Sequence, residues 1–389
     1  MTNTTRTPPC PRWAPNSLIA MSALLAGVLA LGATAARAGF PTPCERTAMR
    51  AHRACIIDTW EEYNLTVANC ITIADHEARQ ECVVVAGETR VEDREDCEEI
   101  REARVDLCDV LGEFRYDPAP LVDPANTFVH PDEIPDTYPA NPWLSLEEGR
   151  VSVIGSEDEV VVILNTDETR EIQGVECRIV AEVAMEIAED DDDEEGFEIE
   201  YVPVEVTYDF FAQTLSGDVV YCGENTVEYE EGFPVSTDGT FIAGLEFAKS
   251  GYVVRAAPAE GDADRQEFLL EDAEDYVIYQ NPGATPAEDL GGEVEGFECD
   301  GDCLQTLEST PIDAGTIELK YYLSGVGFVL AVPFEADDEG ELEWTGEREE
   351  LLCRGDSLDI LDSDACGIDD PEELVEVLCS VAGDWFCDD

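Results

Sequence analysis

PCERTAMRAHRACIIDTWEEYNLTVANCITIADHEARQECVVVAGETRVEDREDCEEIREARVDLCDVL, residues 43–111, decides the architecture of the first part of the chain. The stretch is rich in Ala, Glu, Arg and Leu-type helix formers, and after Pro43 it holds one glycine and no proline. Its cysteines stand at 44, 55, 70, 82, 97 and 108, so the steps of 11, 15, 12, 15 and 11 read the same in both directions. Pairing outer with outer, middle with middle and inner with inner gives the same sum, 152, for Cys44 with Cys108, Cys55 with Cys97 and Cys70 with Cys82. Two antiparallel helices folded about His76 bring those pairs level. Steps of 11 and 15 are close to whole helical turns, which keeps the cysteines near one face of each helix. The spacing predicts a helical hairpin over 39–112 stapled by three disulfides.

Upstream, Arg6 and Arg12 precede an apolar run from Leu18 to Leu31, and Ala36-Arg37-Ala38 stands before Gly39. That is the layout of a cleaved secretory signal over 1–38. The run is too short for a membrane span, and no later stretch approaches the roughly 20 apolar residues that a span needs. The expected location is secreted or periplasmic. Cleavage would remove three arginines, no acid and Cys10, leaving 18 basic residues against 91 acidic ones and an even count of 14 cysteines. An oxidising compartment and an even count favour disulfides over zinc, for which three histidines are too few. The charge excludes nucleic acid as a partner, because so negative a field repels phosphate.

Downstream, seven prolines between 118 and 142 mark an extended connector over 113–142, punctuated by Phe128 and Tyr138. From Trp143 the pattern changes. Val175, Cys177, Ile179, Ala181, Val183, Met185 and Ile187 alternate with Glu176, Arg178, Glu182 and Glu186, as in a half-buried strand. Val204, Val206, Tyr208, Phe210 and Ala212 repeat the signal, and Ser216-Gly217-Asp218 offers a hairpin turn. Further strands are expected at 160–164, 219–222, 226–230, 276–280, 304–308, 317–323, 328–332 and 342–344. These make an antiparallel β domain over 143–350, an open barrel or a sandwich. In the acidic tail, 351–389, Asp370, Pro371 and Glu373 cap one helix expected over 371–381. The fold class is therefore α+β. The pairing of Cys177, Cys222, Cys299, Cys303, Cys353, Cys366, Cys379 and Cys387 stays open.

The hairpin resembles twin-cysteine helical hairpins. DTWEEYNLTVANC (58–70), REARVDLCDVLGEFRYDP (101–118) with DPAN (123–126), VTYDFFAQ (206–213), CLQTLESTPI (303–312) and KYYLSGVGFVL (320–330) together resemble a family of uncharacterised secreted bacterial proteins. The likeness runs from about residue 44 to 335 and implies no particular activity. Asp264, before Arg265-Gln266-Glu267, and Cys222 stand where that family has aromatics.

The resemblance singles out Tyr208, Asp209, Gln213, Arg265, Gln266, Glu267, Tyr321 and Tyr322 as candidate ligand-binding residues. Alternation sets Tyr208 on the apolar face with Phe210 and turns Asp209 the other way. Histidine chemistry has little material, since His52 and His76 lie on the hairpin and only His130 is near the β domain. Calcium is the one cofactor worth weighing. Asp191, Asp193 and Glu195 precede Gly196 with EF-hand-like spacing, but Val202 stands where the closing Glu belongs, and a flexible hairpin tip explains the run. Asp300 and Asp302, between Cys299 and Cys303, suit a small cation or a tight turn equally. Arg354-Gly355-Asp356 spells an adhesion tripeptide by coincidence of composition. The first expectation for function is a non-enzymatic envelope or extracellular protein that binds a ligand or partner through its β domain. A hydrolase using carboxylates such as Asp209 or Glu267, and an acidic cation binder, are the alternatives.

Overall fold

In the computed structural model, residues 40–389 are described except 157, 191–197, 231, 287–296, 298, 337–341, 347 and 388–389. Helices α1 (Pro43–Ile71) and α2 (His76–Leu111) form the expected antiparallel pair. Thr42 caps α1 in a capping box with Glu45, Asp75 caps α2 through Ala78 N at 2.9 Å, and Gly112 ends α2 at φ 62°. Cys44–Cys108, Cys55–Cys97 and Cys70–Cys82 are bridged, as the symmetric spacing requires, with Cα separations of 5.8, 5.9 and 5.7 Å. Few α1 side chains are buried: Ala48, Ala51, Thr59 and Cys70. Covalent staples thus replace the apolar seam that a helix pair normally needs. Non-reduced proteolytic digests should return these three linked peptides; a Cys44–Cys55 peptide, or any of the six joined to the tail, would refute the pairing.

The sheet comprises β1 (Val151–Gly155), β2 (Glu159–Ile172), β3 (Val175–Asp190), β4 (Glu198–Gln213), β5 (Val219–Glu230), β6 (Phe233–Ser236), β7 (Phe241–Ile242) and β8 (Lys249–Val254). It continues with β9 (Ala263–Arg265), β10 (Glu267–Phe268), β11 (Tyr276–Ala284), β12 (Cys303–Ser309), β13 (Thr316–Leu323), β14 (Gly327–Ala336), β15 (Leu342–Trp344) and β16 (Glu349–Gly355). Every pairing is antiparallel, in the order β10-β8-β5-β4-β3-β2-β1-β16-β14-β13-β12-β11-β9. The two ends of that path, β9 and β10, are one backbone segment interrupted only at Gln266. Arg265 pairs with Tyr276 of β11 and Glu267 with Ser250 of β8, so the segment closes the sheet on itself and leaves no free edge there. Gly251 is needed at this seam, because a Cβ there would meet the Arg265 carbonyl oxygen at 2.2 Å.

The apolar face of β1–β4 and β16 points outward and is covered by α3 (Pro371–Phe386): Val153, Val162, Val183 and Val206 pack with Leu374, Leu378 and Phe386. This helix runs five residues beyond the expected 371–381, with irregular backbone at Ala382. Cys353–Cys366 and Cys379–Cys387 tie the tail, Cys299–Cys303 closes a short loop, and Cys177–Cys222 reaches from β3 to β5 across β4.

The inward residues at one end of the barrel are Phe211, Val219, Val254, Val277, Tyr279, Leu304 and Tyr322, and the proline-rich segment packs against them through Val129, Ile134, Trp143 and Leu146. The connector is therefore a plug held by polar clamps. Asn141 N donates to Gln213 Oε1 at 2.8 Å, Gln213 Nε2 to Pro139 O at 2.9 Å, and Asn141 Nδ2 to Gly217 O at 2.7 Å.

Candidate functional site

Residues opposite one another on adjacent strands share a face, so register shows what lines the lumen. Glu182 lies opposite Thr207, and Thr207 opposite Thr226; Asp209 lies opposite Glu224. Across the barrel Glu308 lies opposite Glu318, and Lys320 opposite both Thr306 and Ala331, the partner of Glu349. All point inward. Glu182, Glu224, Glu318, Lys320 and Tyr322 remain only partly covered although they face inward.

The two polar walls differ. On β12 and β13, Lys320 Nζ lies 2.9 Å from Glu318 and 3.5 Å from Glu308. Glu308 also accepts from Gln266 Nε2 at 3.0 Å, Thr306 Oγ1 at 2.9 Å and the Tyr322 hydroxyl at 2.9 Å. Burial opposes the Lys320 charge, but Glu318 and Glu308 outweigh it and hold the ammonium well above its usual range. That wall is compensated.

On β3–β5, Glu182, Glu205, Asp209 and Glu224 have no ion pair among the described residues. Hydroxyls connect Glu205, Asp209 and Glu224 instead. Thr207 Oγ1 lies 3.0 Å from Glu205 and 3.2 Å from Thr226 Oγ1, which lies 3.1 Å from Glu224 Oε2; the Tyr221 hydroxyl touches Glu224 at 3.0 Å and Asp209. One phenol proton cannot serve both Asp209 and Glu224, so one of the two carboxyls must supply its own. The acidities agree. Burial, reinforced by Glu182 and Glu224, pushes Asp209 well above the carboxylate range. Burial raises Glu182 to about 7, reinforced by Glu205, and Glu224 to about 7 against the pull of the Tyr221 hydrogen bond. Glu267, from the closing segment, is raised well above its usual range by burial and then Asp275, itself at about 6. Beside Glu182 the same face turns apolar, because Ile163 lies opposite Glu182, Val161 opposite Ala184, and Ile154 opposite both Val161 and Leu351. The lumen therefore offers proton-holding carboxyls next to an aliphatic strip.

Of the residues singled out in the sequence, Asp209, Gln266, Glu267 and Tyr322 meet at this lumen. Tyr208 points outward, 6.1 Å from the Trp385 ring. Tyr321 is buried in the cluster under β13 and β14 and accepts from Gln305 at 2.9 Å. Gln213 clamps the plug, and Arg265 lies outside the barrel on Glu113 at 2.6 Å. Asp191, Asp193 and Glu195 lie outside the described residues. Asp302 Oδ1 accepts from Asp300 N at 3.0 Å and Gly301 N donates to Thr285 at 2.9 Å, a tight turn. Arg354 bonds the Gly325 carbonyl at 2.8 Å while Asp356 meets Arg150 at 2.7 Å, so the tripeptide is held within the fold. Glu182, Tyr221, Glu224, Glu308 and Lys320 escaped the sequence reading. Lys320 carried the best signal, being one of only two lysines and set in an alternating strand. Among the described residues no set of three His, Cys, Asp or Glu side chains is arranged to hold a metal, and no helix is long and apolar enough to cross a membrane. No family model, curated protein or solved structure matches this chain.

Proposed function

We propose that the chain is an exported, non-enzymatic binding protein whose barrel lumen takes a small amphipathic cation: a protonated amine on the β3–β5 carboxyls, with its apolar body against Ile163, Val161 and Ile154. The observation that carries this reading is the β3–β5 wall, where Glu182, Asp209 and Glu224 face inward with no ion pair among the described residues and are raised by burial, Lys320 acting on Glu182 only as a weaker opposing charge. An ammonium supplies both the missing charge and hydrogen-bond donors, and charge-assisted bonds in a poorly solvated site are the strong ones. Seven disulfides and the signal-like first segment support export into an oxidising compartment.

Benzylamine is a suitable probe, with benzyl alcohol as its uncharged counterpart. Calorimetry should find saturable binding of benzylamine alone, with proton release near neutral pH and affinity that rises between about pH 6 and pH 8 as Glu182 and Glu224 ionise. Glu182→Gln should weaken it about tenfold. Equal binding of both probes, or no loss in the variant, would end the proposal. A second reading, acid–base hydrolysis, draws on the Asp209–Tyr221–Glu224 set, in which two carboxyls flank one hydroxyl. A broad hydrolase screen with turnover lost in a folded Asp209→Asn variant would favour it over binding.

A further inference from the structure

On the outer side of the closing strand, the helical hairpin leaves a cleft of about 480 Å³ against β8–β10. Arg104, Arg115, Lys249 and Arg265 converge there, beside Tyr116 and Phe268. In a chain with 21 basic residues against 91 acidic ones, four cations in one cleft, including one of two lysines, need a reason. Structural pairing supplies only part of it. Arg104 is spent on Glu274, with Nε 3.1 and 3.0 Å from its two oxygens. Arg265 directs Nε and Nη2 to a single oxygen of Glu113, at 3.1 and 2.6 Å. Its Nη1 has no acceptor, although the residue is only 6% exposed. Among the buried side-chain atoms described it is the one unpartnered guanidinium terminus, the others being Nε atoms. A buried N–H without an acceptor is costly, and a ligand oxygen that displaces the Phe268 ring from the guanidinium face, now 4.8 Å away, would remove the cost. Lys249 Nζ donates to the Tyr116 carbonyl oxygen and keeps donors to spare. Arg115 has no ion pair among the described residues.

The geometry points to a binding site for a small organic monocarboxylate, with one oxygen on Arg265 Nη1, the charge shared with Lys249 and Arg115, and an apolar body on Phe268 and Leu270. A single negative charge is preferred over a phosphate dianion. Glu113 and Glu274 cancel two of the four cations and Asp117 lines the same cleft, so about one positive charge is left over. The volume lies within the usual range for small-molecule sites, and Tyr116 and Phe268, 5.8 Å apart edge to face, give the floor its aromatic character. This site is on the opposite side of the wall from the lumen and does not rest on the cation proposal.

4-Bromobenzoate is the probe. Titrated at high potassium chloride, where the long-range repulsion from the acidic chain is screened, it should bind saturably, and its bromine should give an anomalous peak in the cleft. Benzylamine should not compete. Arg115→Ala, at an exposed side chain with no ion pair among the described residues and only the exposed Phe114 ring beside it, should weaken binding about tenfold with the melting temperature little changed. Arg265→Lys, which keeps the charge and removes Nη1, should weaken it further. Should Arg265→Lys fail to fold through its tie to Glu113, the bromine position and Arg115→Ala decide the matter. Absence of saturation, a bromine site elsewhere, or unchanged affinity in Arg115→Ala would overturn the inference.

Discussion

Raising the pH from about 5 to about 8 should lower the melting temperature of this protein, and Glu182→Gln with Glu224→Gln should remove much of that fall. The sign follows from the lumen. Glu182 and Glu224 are raised from an ordinary value of 4.5 to about 7, chiefly by burial, and Asp209 and Glu267 are raised well above theirs. A carboxyl whose folded value exceeds its unfolded value makes the folded state bind more protons in the interval between the two. The stability it contributes is fully present below the unfolded value and is lost as the pH climbs through the folded one. For Glu182 and Glu224 together the loss is on the order of a few kcal/mol, enough to move a melting temperature by several degrees. Ionisation of surface acids pushes in the same direction, which is why the variant matters. Glutamine keeps the shape, so Glu224→Gln can still meet Tyr221 and Thr226 while carrying no charge. The double variant should match the wild type near pH 5 and exceed it near pH 8. A wild-type profile flat over that interval, or a variant that falls as steeply, would show that the inward carboxyls hold no such protons.

The hairpin was legible because six cysteines with a palindromic spacing on two antiparallel helices come level in nested pairs, which favours one pairing over the others. The long strands were legible because alternation is a local property. What alternation does not carry is which face is inside. Alternation from Val175 to Ile187 predicts a half-buried strand without saying which face is inside; Val183 and Met185 lie outward under α3 and Glu182 points into the barrel. A helix from the far end of the chain covers the apolar face, and nothing near residue 183 announces it. Closure was hidden for a related reason. β9 and β10 are three and two residues long, and the sequence there, Ala263 to Phe268, is mostly polar. It pairs because both neighbouring edges need partners, a tertiary cause that propensity does not encode. The adjacent Tyr321 and Tyr322 were grouped together, although period two already sends them to opposite faces, as the structure does. Asp209 and Tyr208 were separated correctly by that same rule.

Melting temperature should also rise steeply with added sodium or potassium chloride. The reason lies outside the lumen, in 91 acids against 21 basic residues and only two lysines, with acidic side chains spread over hairpin, barrel and tail. Lys320 is already committed to Glu318 and Glu308, and Lys249 lies in the hairpin cleft with its Nζ on the Tyr116 carbonyl oxygen. The surface carboxylates therefore have few local partners and repel one another in the compact state. Screening falls from roughly 10 Å at about 0.1 M salt to roughly 3 Å at about 1 M, so monovalent salt should relieve repulsion that no internal pairing can. The inward carboxyls respond less, because Glu182 and Glu224 hold protons up to about pH 7. Salt should thus raise the whole pH profile and leave the gap between wild type and the double glutamine variant largely in place. Millimolar calcium should add little once salt is high, since Val202 stands where the closing Glu of the EF-hand-like run belongs. A melting temperature flat between low and high salt, or one or two calcium ions bound tightly at high salt with a large stabilisation, would mean that the charge serves a specific cation site and not the salinity of the surroundings.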